Sequence, residues 1–505
     1  MTFYSATARA LRPAVCLTAL LSSTAVHAEV TAQQVWDDWK ANMGMYGASG
    51  VTIGSEVTEG GVVTITDFAI DFSDETTSMS ANLGSLVLTE QGDGTVAVTM
   101  SEQYPFTVIG TTDGVETAMT ISINQTGMTM IVSGTPEEMT YEISAPAYGV
   151  ALTDMMQDGA ALPVTASMTF NNMSGSYVST PGDLRTIDYA VMAESADLVV
   201  NVNDPETGMT VDFSGKLNEL ATTALMTIPP LDTASEDIFA AGMALTGGYT
   251  FGATSFVFNA VDPAMGDASG TMTAMGGTMD FSFDKDVMGY DSSLSGLNVE
   301  FAAPTMPFPV KLSLAEYGLG ILFPLSQTEE PADWAAYVNL TDLTVNDEIW
   351  MMIDAGNQLP HDPATVVMDL TGTATMFANI LDPEAQAAAA EGAAPGEMNS
   401  LDINDITVRI GGAEVLATGA LTFDNTDTTT IPGMPRPEGT IEVELNGING
   451  LLDKLVGMGL LPEDQAMMPR MMMGMFATVV GEDQLTSKIE FAPGGGIFAN
   501  GQQIQ

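Results

Sequence analysis

Hydrophobic and polar residues alternate with a period of two along most of the chain. Phe68, Ile70 and Phe72, for example, are separated by Ala69 and Asp71. Because successive side chains of a β-strand point to opposite faces of a sheet, this alternation predicts half-buried strands. The same pattern recurs at Val96/Val98/Met100, Met119/Ile121/Ile123, Leu198/Val200/Val202, Met279/Phe281/Phe283, Val366/Met368/Leu370, Ile441/Val443/Leu445 and Leu485/Ser487/Ile489/Phe491.

Short segments rich in Gly, Pro and Asp separate the alternating runs. Examples are Gln91–Gly94, Asp204–Gly208 and Pro493–Gly496. Such residues either permit a positive φ or fix φ, so they favour tight turns. Few long helices lie between the runs, and the turns therefore predict antiparallel neighbours rather than βαβ units. We predict a mainly β fold built as an antiparallel meander.

An amphipathic helix is predicted close to the N-terminus, over Thr31 to Tyr46. Thr31 and Gln34 have the spacing of a capping box, in which each residue accepts a hydrogen bond from the other's backbone. We expect this helix to cap the open end of the first sheet. Its apolar face would consist of Val35, Trp39, Met43 and Tyr46.

A helical hairpin is predicted near the C-terminus. It consists of Gly450 to Met458 followed by Pro462 to Val479, with Pro462 suited to the first helical turn. Pro469 should kink the second helix, because it lacks a backbone N–H. A shorter helix that carries Trp350 is expected at Asp347 to Asp354.

Methionine is unusually abundant in the second helix of this hairpin. The chain has 36 methionines, and Met467, Met468, Met471, Met472, Met473 and Met475 crowd this one segment. Three interpretations remain open. The flexible thioether side chains can fill an apolar core, or line a groove for acyl chains. Thioethers are also soft ligands that can hold Cu(I). The candidate groove residues are Met468, Met472, Met475 and Phe476.

Residues 1–28 have the pattern of an export signal. Arg9 and Arg12 precede the apolar run from Val15 to Val26, which ends in Val26-His27-Ala28 before Glu29, with small residues where signal peptidase expects them. The run is shorter than the ~20 residues that a membrane span needs, so we expect cleavage and no retained anchor. Cleavage would remove the single Cys, Cys16, and one of the two His residues. The expected location is the periplasm, or outside the cell.

We expect the rest of the chain to divide into β regions with approximate boundaries. Residues 29–232 form a first β-sheet domain and residues 233–382 a second β-sheet region. Residues 383–398 are an Ala-rich linker or insertion, for which a short alanine helix is the alternative. Residues 399–505 form a C-terminal β region that contains the helical hairpin.

The charge balance of the chain disfavours anionic partners. The sequence has 65 Asp+Glu against 12 Lys+Arg, a formal net charge of −53. Binding of nucleic acid depends on clustered Lys and Arg, so nucleic acid is a poor partner. Anionic lipid headgroups are disfavoured for the same reason. Many carboxylates also keep a protein hydrated, which explains the charge without any ligand.

The sequence carries no recognisable catalytic or metal site, and we expect neither an enzyme nor a cofactor. Ser282-Phe283-Asp284-Lys285 matches Ser-x-x-Lys, but it falls on a predicted strand and lacks the companion motifs. His361 lies between prolines in a turn and has no Cys or His partners for zinc. Calcium takes oxygen ligands, but no EF-hand loop fits the sequence.

Segments distributed along the chain carry a resemblance to a known family. They are Thr31–Tyr46, Asp347–Trp350, Leu359–Thr365, Ile410–Glu414, Gly419–Phe423, Arg436–Ile441, Leu451–Leu455 and Ile497–Gln502. These segments resemble a family of exported, uncharacterised alphaproteobacterial proteins, a domain of unknown function within the broad AsmA-like group. The resemblance implies long, curved antiparallel sheets whose concave face can shelter lipid, and roles in the cell envelope. It implies no binding residues.

These observations lead to three hypotheses of function. The first is a non-enzymatic periplasmic β-protein that shelters or carries a lipid or another apolar ligand on the apolar side of its sheet. The second is a structural or assembly partner of an envelope protein, without a ligand. The third is a copper binder that uses the Met-rich helix. Sequence alone does not decide whether the apolar faces close on one another or leave a groove.

Overall fold

The computed structural model describes residues 29–45, 50–73, 76–112, 114–229, 238–431 and 433–504. The protein is mainly β, with 63% strand and 11% helix. Within the described residues, 28 strands form one antiparallel sheet. The predicted export signal, residues 1–28, lies outside the described part of the chain, as does the predicted domain boundary near residue 232.

The strands are numbered in the order in which they occur along the chain. They are β1 (Val51–Thr52), β2 (Ser55–Glu59), β3 (Val62–Ser73), β4 (Thr77–Glu90), β5 (Val96–Met100), β6 (Gln103–Thr112), β7 (Val115–Asn124), β8 (Thr129–Thr135), β9 (Glu138–Gln157), β10 (Ala160–Ala161), β11 (Val164–Thr180), β12 (Arg185–Asn203), β13 (Thr210–Ile228), β14 (Ala244–Phe251), β15 (Thr254–Val261), β16 (Ala268–Ala274), β17 (Gly276–Phe283), β18 (Val287–Ala302), β19 (Val310–Pro324), β20 (Ala332–Val345), β21 (Ala364–Met376), β22 (Gly396–Ile410), β23 (Ala413–Asp424), β24 (Arg436–Asn446), β25 (Thr478–Gly481), β26 (Gln484–Phe491), β27 (Ile497–Ala499) and β28 (Gln502–Gln503).

Five helices interrupt the strands within the described ranges. They are α1 (Ala32–Met45), α2 (Asp347–Ile353), α3 (Pro383–Ala390), α4 (Ile448–Gly457) and α5 (Glu463–Phe476). No helix in the described part of the chain is both long enough and apolar enough to span a bilayer.

The sheet is a meander in which long strands connect pairs of shorter ones. One half of β13 pairs with β14 and the other half with β15, and β18 joins β16 and β17 in the same way. From β18 to β24, each strand pairs with the next one along the chain. The antiparallel meander predicted from the turns is confirmed.

In the long central strands, the alternation between less exposed and more exposed positions shifts by one residue part-way along the strand. In β12 the less exposed positions are odd-numbered up to Ala193 and even-numbered from Ala196 onward. Pairing with β13 skips Glu194 and Glu219, and Glu219 has a positive φ of 53°. An irregular residue of this kind restores the apolar side chains to the same face beyond the break. The period-two pattern of the sequence is therefore interrupted at this point, but the apolar side chains before and after the break lie on the same face of the sheet.

A hydrophobic core of buried side chains lies where α1 covers the sheet. Val35 and Trp36 of α1 are fully buried against apolar side chains of β3, β4, β5, β8 and β9. The Trp36 ring meets Phe68 edge-on, with centroids 5.9 Å apart. Thr31 and Gln34 exchange hydrogen bonds of 2.9 and 3.2 Å in the capping-box pattern. Of the predicted apolar face, Val35 is fully buried and Trp39 is partly buried against the core. Trp36, which the predicted face did not include, is fully buried, and Tyr46 lies outside the described residues.

Two predicted segments end differently in the structure. The second helix of the C-terminal hairpin was expected to reach Val479, but α5 ends at Phe476 and Thr478–Gly481 form β25. The reason is local, because the β-branched Thr478 and Val479 find hydrogen-bonding partners in β26. In the predicted linker 383–398, Pro383–Ala390 form α3, the helical alternative, and β22 already begins at Gly396.

Candidate functional site

One face of the sheet carries a continuous row of apolar side chains from β5 to β27. Residues that lie directly opposite one another in antiparallel strands project to the same face, so the pairings trace this row unambiguously. We call it the apolar ladder. Its members are Val96, Val132, Tyr141, Tyr177, Tyr189, Ala224, Gly247, Phe281, Tyr290, Ile321, Ala336, Leu370, Ile403, Gly419, Ile441, Ile489 and Ala499.

At its N-terminal end the apolar ladder is covered by α1. Tyr141 and Tyr177 stack with their centroids 4.3 Å apart, and Trp39 Nε1 donates to the Tyr141 hydroxyl over 3.2 Å. Burial raises the pKa of both tyrosines. Arg185 forms a buried ion pair with Asp38 of α1 at 2.9 Å and donates to Ser179. This end of the face is closed and contributes to the core.

From β14 to β19 the same face is open. Tyr249, Leu319 and Ile321 project from it and are 41%, 39% and 42% exposed. Leu319 lies on the next row of the face, opposite Ser292 and Val338. Large apolar side chains in one contiguous exposed area mark surfaces that bind a ligand or a partner.

An apolar hollow of about 450 Å³ lies on this face across β13, β15, β16 and β18. Glycines deepen it, since a Cβ at Gly215 would overlap the Phe256 ring and one at Gly270 would lie 3.3 Å from Phe301 Cδ2. The rings of Phe213 and Phe256 stack at 5.7 Å. The side chains that line the hollow are almost entirely apolar: Phe213, Phe256, Phe258, Met272, Val299 and Phe301.

The opposite face is polar and acidic in the same region. Asp280 and Asp291 lie directly opposite one another in β17 and β18, at the edge of a hollow of about 630 Å³ that is lined by both polar and apolar residues. Partial burial raises the pKa of both carboxyls, and the charge of Asp280 raises that of Asp291 further. The Asp291 carboxylate reaches over Gly320, where a Cβ would lie 2.9 Å from Oδ2. The sheet thus separates an apolar side from an acidic side.

The predicted groove residues lie on α5, away from the hollow. Met468, Met472 and Met475 are 64%, 52% and 62% exposed, and Phe476 is half-buried. The interpretation that these methionines fill a core is wrong, because α5 buries a different side, centred on Ala466. Contact of the three methionines with an apolar ligand stays a prediction.

The C-terminal end of α5 is attached to the apolar face of the sheet. Ser487 Oγ donates to the carbonyl of Phe476 over 2.6 Å, and Asn500 Nδ2 donates to the same oxygen over 3.0 Å. Ser487 lies opposite Val443 and so continues the row of the face that contains Leu319. Arg470 pairs with Asp453 of α4 at 2.5 Å. The exposed methionines are therefore held next to one end of the apolar face.

The single histidine of the described chain, His361, lies exposed between two prolines. His361 stacks on Trp350 of α2, with centroids 4.3 Å apart. The nearby Asp354 is buried and accepts a hydrogen bond from the backbone N–H of Leu359 at 2.6 Å, and backbone N–H groups lower its pKa. In the described ranges, no group of three or more His, Cys, Asp and Glu side chains is arranged to hold a metal ion.

The comparisons with known proteins bear on the second half of the chain. The chain contains a DUF2125 domain over residues 262–496. That family is described as an uncharacterized protein conserved in bacteria. No curated protein matches the chain. The DUF2125 domain begins between β15 and β16 and includes α2 to α5, so it contains part of the open face and all of the exposed methionines of α5.

The aromatic hollow is the feature that the sequence analysis missed. Its signal was present in Phe213-Ser214-Gly215 and in Phe256-Val257-Phe258, where aromatic residues alternate near glycines. Alternation predicts that these rings share a face, but it does not show which strands lie side by side. The pairing of β13 with β15 brings Phe213 opposite Phe258.

Proposed function

We propose that the protein shelters an acyl chain, or another elongated apolar ligand, on the open face of its sheet between β13 and β19. The observation that carries this proposal is the exposure of Tyr249, Leu319 and Ile321 on one uncovered apolar face. A surface of this kind loses unfavourable contact with water when a hydrocarbon chain covers it.

The dimensions of the face suit such a chain. One leaflet of the ~30 Å hydrocarbon core of a bilayer corresponds to an acyl chain of ~15 Å. Strands are ~4.8 Å apart, so that chain would cross about three strand spacings along the apolar ladder. The hollow between Phe213 and Phe301 offers about 450 Å³ beside this path.

The proposed setting is the cell envelope, with an AsmA-like arrangement of long, curved sheets. Residues 1–28 support export, and the resemblance of several segments to exported AsmA-like proteins supports the architecture. In this setting the acidic face stays in water while the apolar face holds the ligand. The protein would act by binding and carrying rather than by catalysis.

The first experiment tests for bound lipid directly. The full chain is expressed with its own N-terminal segment, purified from the periplasm, extracted with organic solvent and examined by mass spectrometry. We expect about one or more lipid molecules per chain. Absence of lipid, both as purified and after incubation with envelope lipids, would refute the proposal.

The second experiment locates the ligand with two matched variants. Ile321→Gln changes the apolar face, whereas Leu225→Gln changes an aliphatic residue on the opposite face that is 48% exposed. An apolar side chain buried on binding contributes ~1.5 kcal/mol, which is about tenfold in affinity. We expect Ile321→Gln to weaken binding of a fluorescent fatty acid by about tenfold and Leu225→Gln to leave it unchanged. Equal effects of the two variants would contradict a site on this face.

A further inference from the structure

Four methionines of α5 surround one point on the surface of the helix. Counted from the first of them, the others follow after three, four and seven residues, which places all four on neighbouring turns of the same side. Each side chain is more than half exposed, so little packing restricts its thioether group. We call this set the methionine quartet; its members are Met468, Met471, Met472 and Met475.

The spacing of the methionine quartet brings four sulfur atoms within reach of a single ion. Residues three and four apart on a helix have Cβ atoms about 5–6 Å apart, and every member of the quartet has two neighbours at this distance. The Sδ atom lies two bonds beyond Cβ, and the methionine side chain is unbranched and flexible. The four sulfurs can therefore turn towards the centre of the set.

The helix that carries the methionine quartet is fixed to the rest of the protein on its other side. The buried residue of α5 is Ala466, and the carbonyl of Phe476 accepts hydrogen bonds of 2.6 and 3.0 Å from Ser487 and Asn500. Ligands on a rigid element need less ordering when an ion binds. The quartet therefore offers exposed donor atoms on a backbone that is already in place.

The charges around the methionine quartet attract a cation. Asp464 precedes Met468 by four residues, so it lies one turn before the quartet on the same side of the helix. Arg470, the basic residue of α5, follows the buried Ala466 by four residues and pairs with Asp453 of α4. Its charge is thus neutralised on the packed side. The net charge of −53 also raises the concentration of cations near the protein.

We propose that the methionine quartet binds one Cu(I) ion through its thioether sulfurs. Thioethers are soft ligands, and soft ligands select Cu(I). Ca²⁺ and Mg²⁺ take oxygen ligands instead, and Zn²⁺ takes Cys, His or carboxylate ligands. Binding of the ion does not require that the open face of the sheet bind a lipid.

The test is an anaerobic titration of the full chain with Cu(I), in competition with a chromophoric Cu(I) chelator. The quartet variant changes each of the four methionines to Leu, which removes the sulfur but keeps an apolar side chain of similar size. The control variant makes the same change at four comparably exposed methionines: Met265, Met275, Met351 and Met352. We expect the wild type and the control to bind about one Cu(I) per chain. The quartet variant should lose more than about tenfold in affinity, since even second-shell partners of a metal contribute that much.

Three outcomes would overturn the proposal. They are a wild type that binds Cu(I) no more tightly than the quartet variant, a control variant that loses as much affinity, and X-ray absorption of the wild-type complex that shows oxygen or nitrogen ligands in place of sulfur. Because Leu keeps the surface apolar, a surface used only to dock a lipid or a protein gives the first outcome.

Two further measurements keep the result unambiguous. Circular dichroism checks that each variant keeps its strand and helix content, and the double variant Met468→Leu, Met475→Leu repeats the test with a smaller change. Ile321→Gln separates the two proposals, because it should bind Cu(I) normally even where it no longer binds fatty acid.

Discussion

At the scale of single residues, the opposition of Asp280 and Asp291 is an unfavourable feature that the fold tolerates. Two like charges directly across an antiparallel pair destabilise the sheet, and partial burial adds to this effect. The pKa of each carboxyl is raised, so the folded state favours the protonated forms. The contribution of this pair to stability is therefore most favourable below the ordinary pKa of Asp, and it is lost as the pH rises through the raised pKa values.

The variant Asp291→Asn tests this effect. At pH 7 we expect it to stabilise the protein by up to about 1 kcal/mol, the scale of a like-charge cross-strand pair. The gain should disappear below about pH 3.8, where both carboxyls are protonated in either state. Urea unfolding at several pH values measures it. Asp267→Asn, in an exposed loop, controls for the change in total charge, and an equal gain from both variants would contradict the prediction.

At the scale of elements, α1 is fixed to the sheet by one buried ion pair as well as by its apolar side. Arg185 and Asp38 have side chains that are 8% and 10% exposed. Removing one partner of a buried pair leaves a charge without compensation, which is more costly than the loss of an exposed pair. The pair therefore holds α1 at β12, in addition to the apolar contacts.

We predict that Arg185→Met destabilises the region around α1 by about 3 kcal/mol, because Asp38 is left buried and unpaired. Fluorescence of Trp36 and Trp39 during urea unfolding reports on this region. Lys216→Met removes the exposed Lys216–Asp197 pair of neighbouring strands and should cost less than about 1 kcal/mol. A similar loss in both variants would show that α1 does not depend on the buried pair.

For the helix α5, the sequence did not predict which side packs against the rest of the protein. Its methionine content and approximate position follow from the sequence, but the side that packs does not. A helix with apolar residues around most of its circumference has no single preferred inward side. Contacts with α4 and β26 bury Ala466 instead and leave most of the methionines in solvent.

At the scale of the whole molecule, one continuous sheet combines a closed and an open region. The closed core involves α1 and strands β3 to β9, whereas the face from β14 to β19 has no covering helix among the described elements. Local stability follows the density of buried apolar contacts, so it should differ along the sheet.

Hydrogen exchange measures this difference. We expect the amides of β3, β4 and β9 to exchange more slowly than those of β14, β17 and β19, because opening the latter exposes little additional apolar surface. Addition of a fatty acid should slow exchange in β14, β17 and β19 and leave β3 and β4 unchanged. Uniform protection along the sheet before ligand is added would contradict the prediction.

The sequence by itself determined the class of structure and the two-faced character of the strands. Alternation such as Met279/Phe281/Phe283 specifies strands with one apolar side, because the β-strand repeat is two residues. The Gly, Pro and Asp segments between the runs specify antiparallel neighbours. These properties are local, and neighbouring residues suffice to define them.

Only the tertiary structure decided which apolar sides meet and which stay open. Phe213 and Phe258 are 45 positions apart in sequence, and the register of β13 against β15 brings them together. Likewise, α1 closes one end of the apolar ladder while Tyr249 and Ile321 remain uncovered. Pairing and packing between distant segments depend on the geometry of the whole sheet, which no local pattern of residues contains.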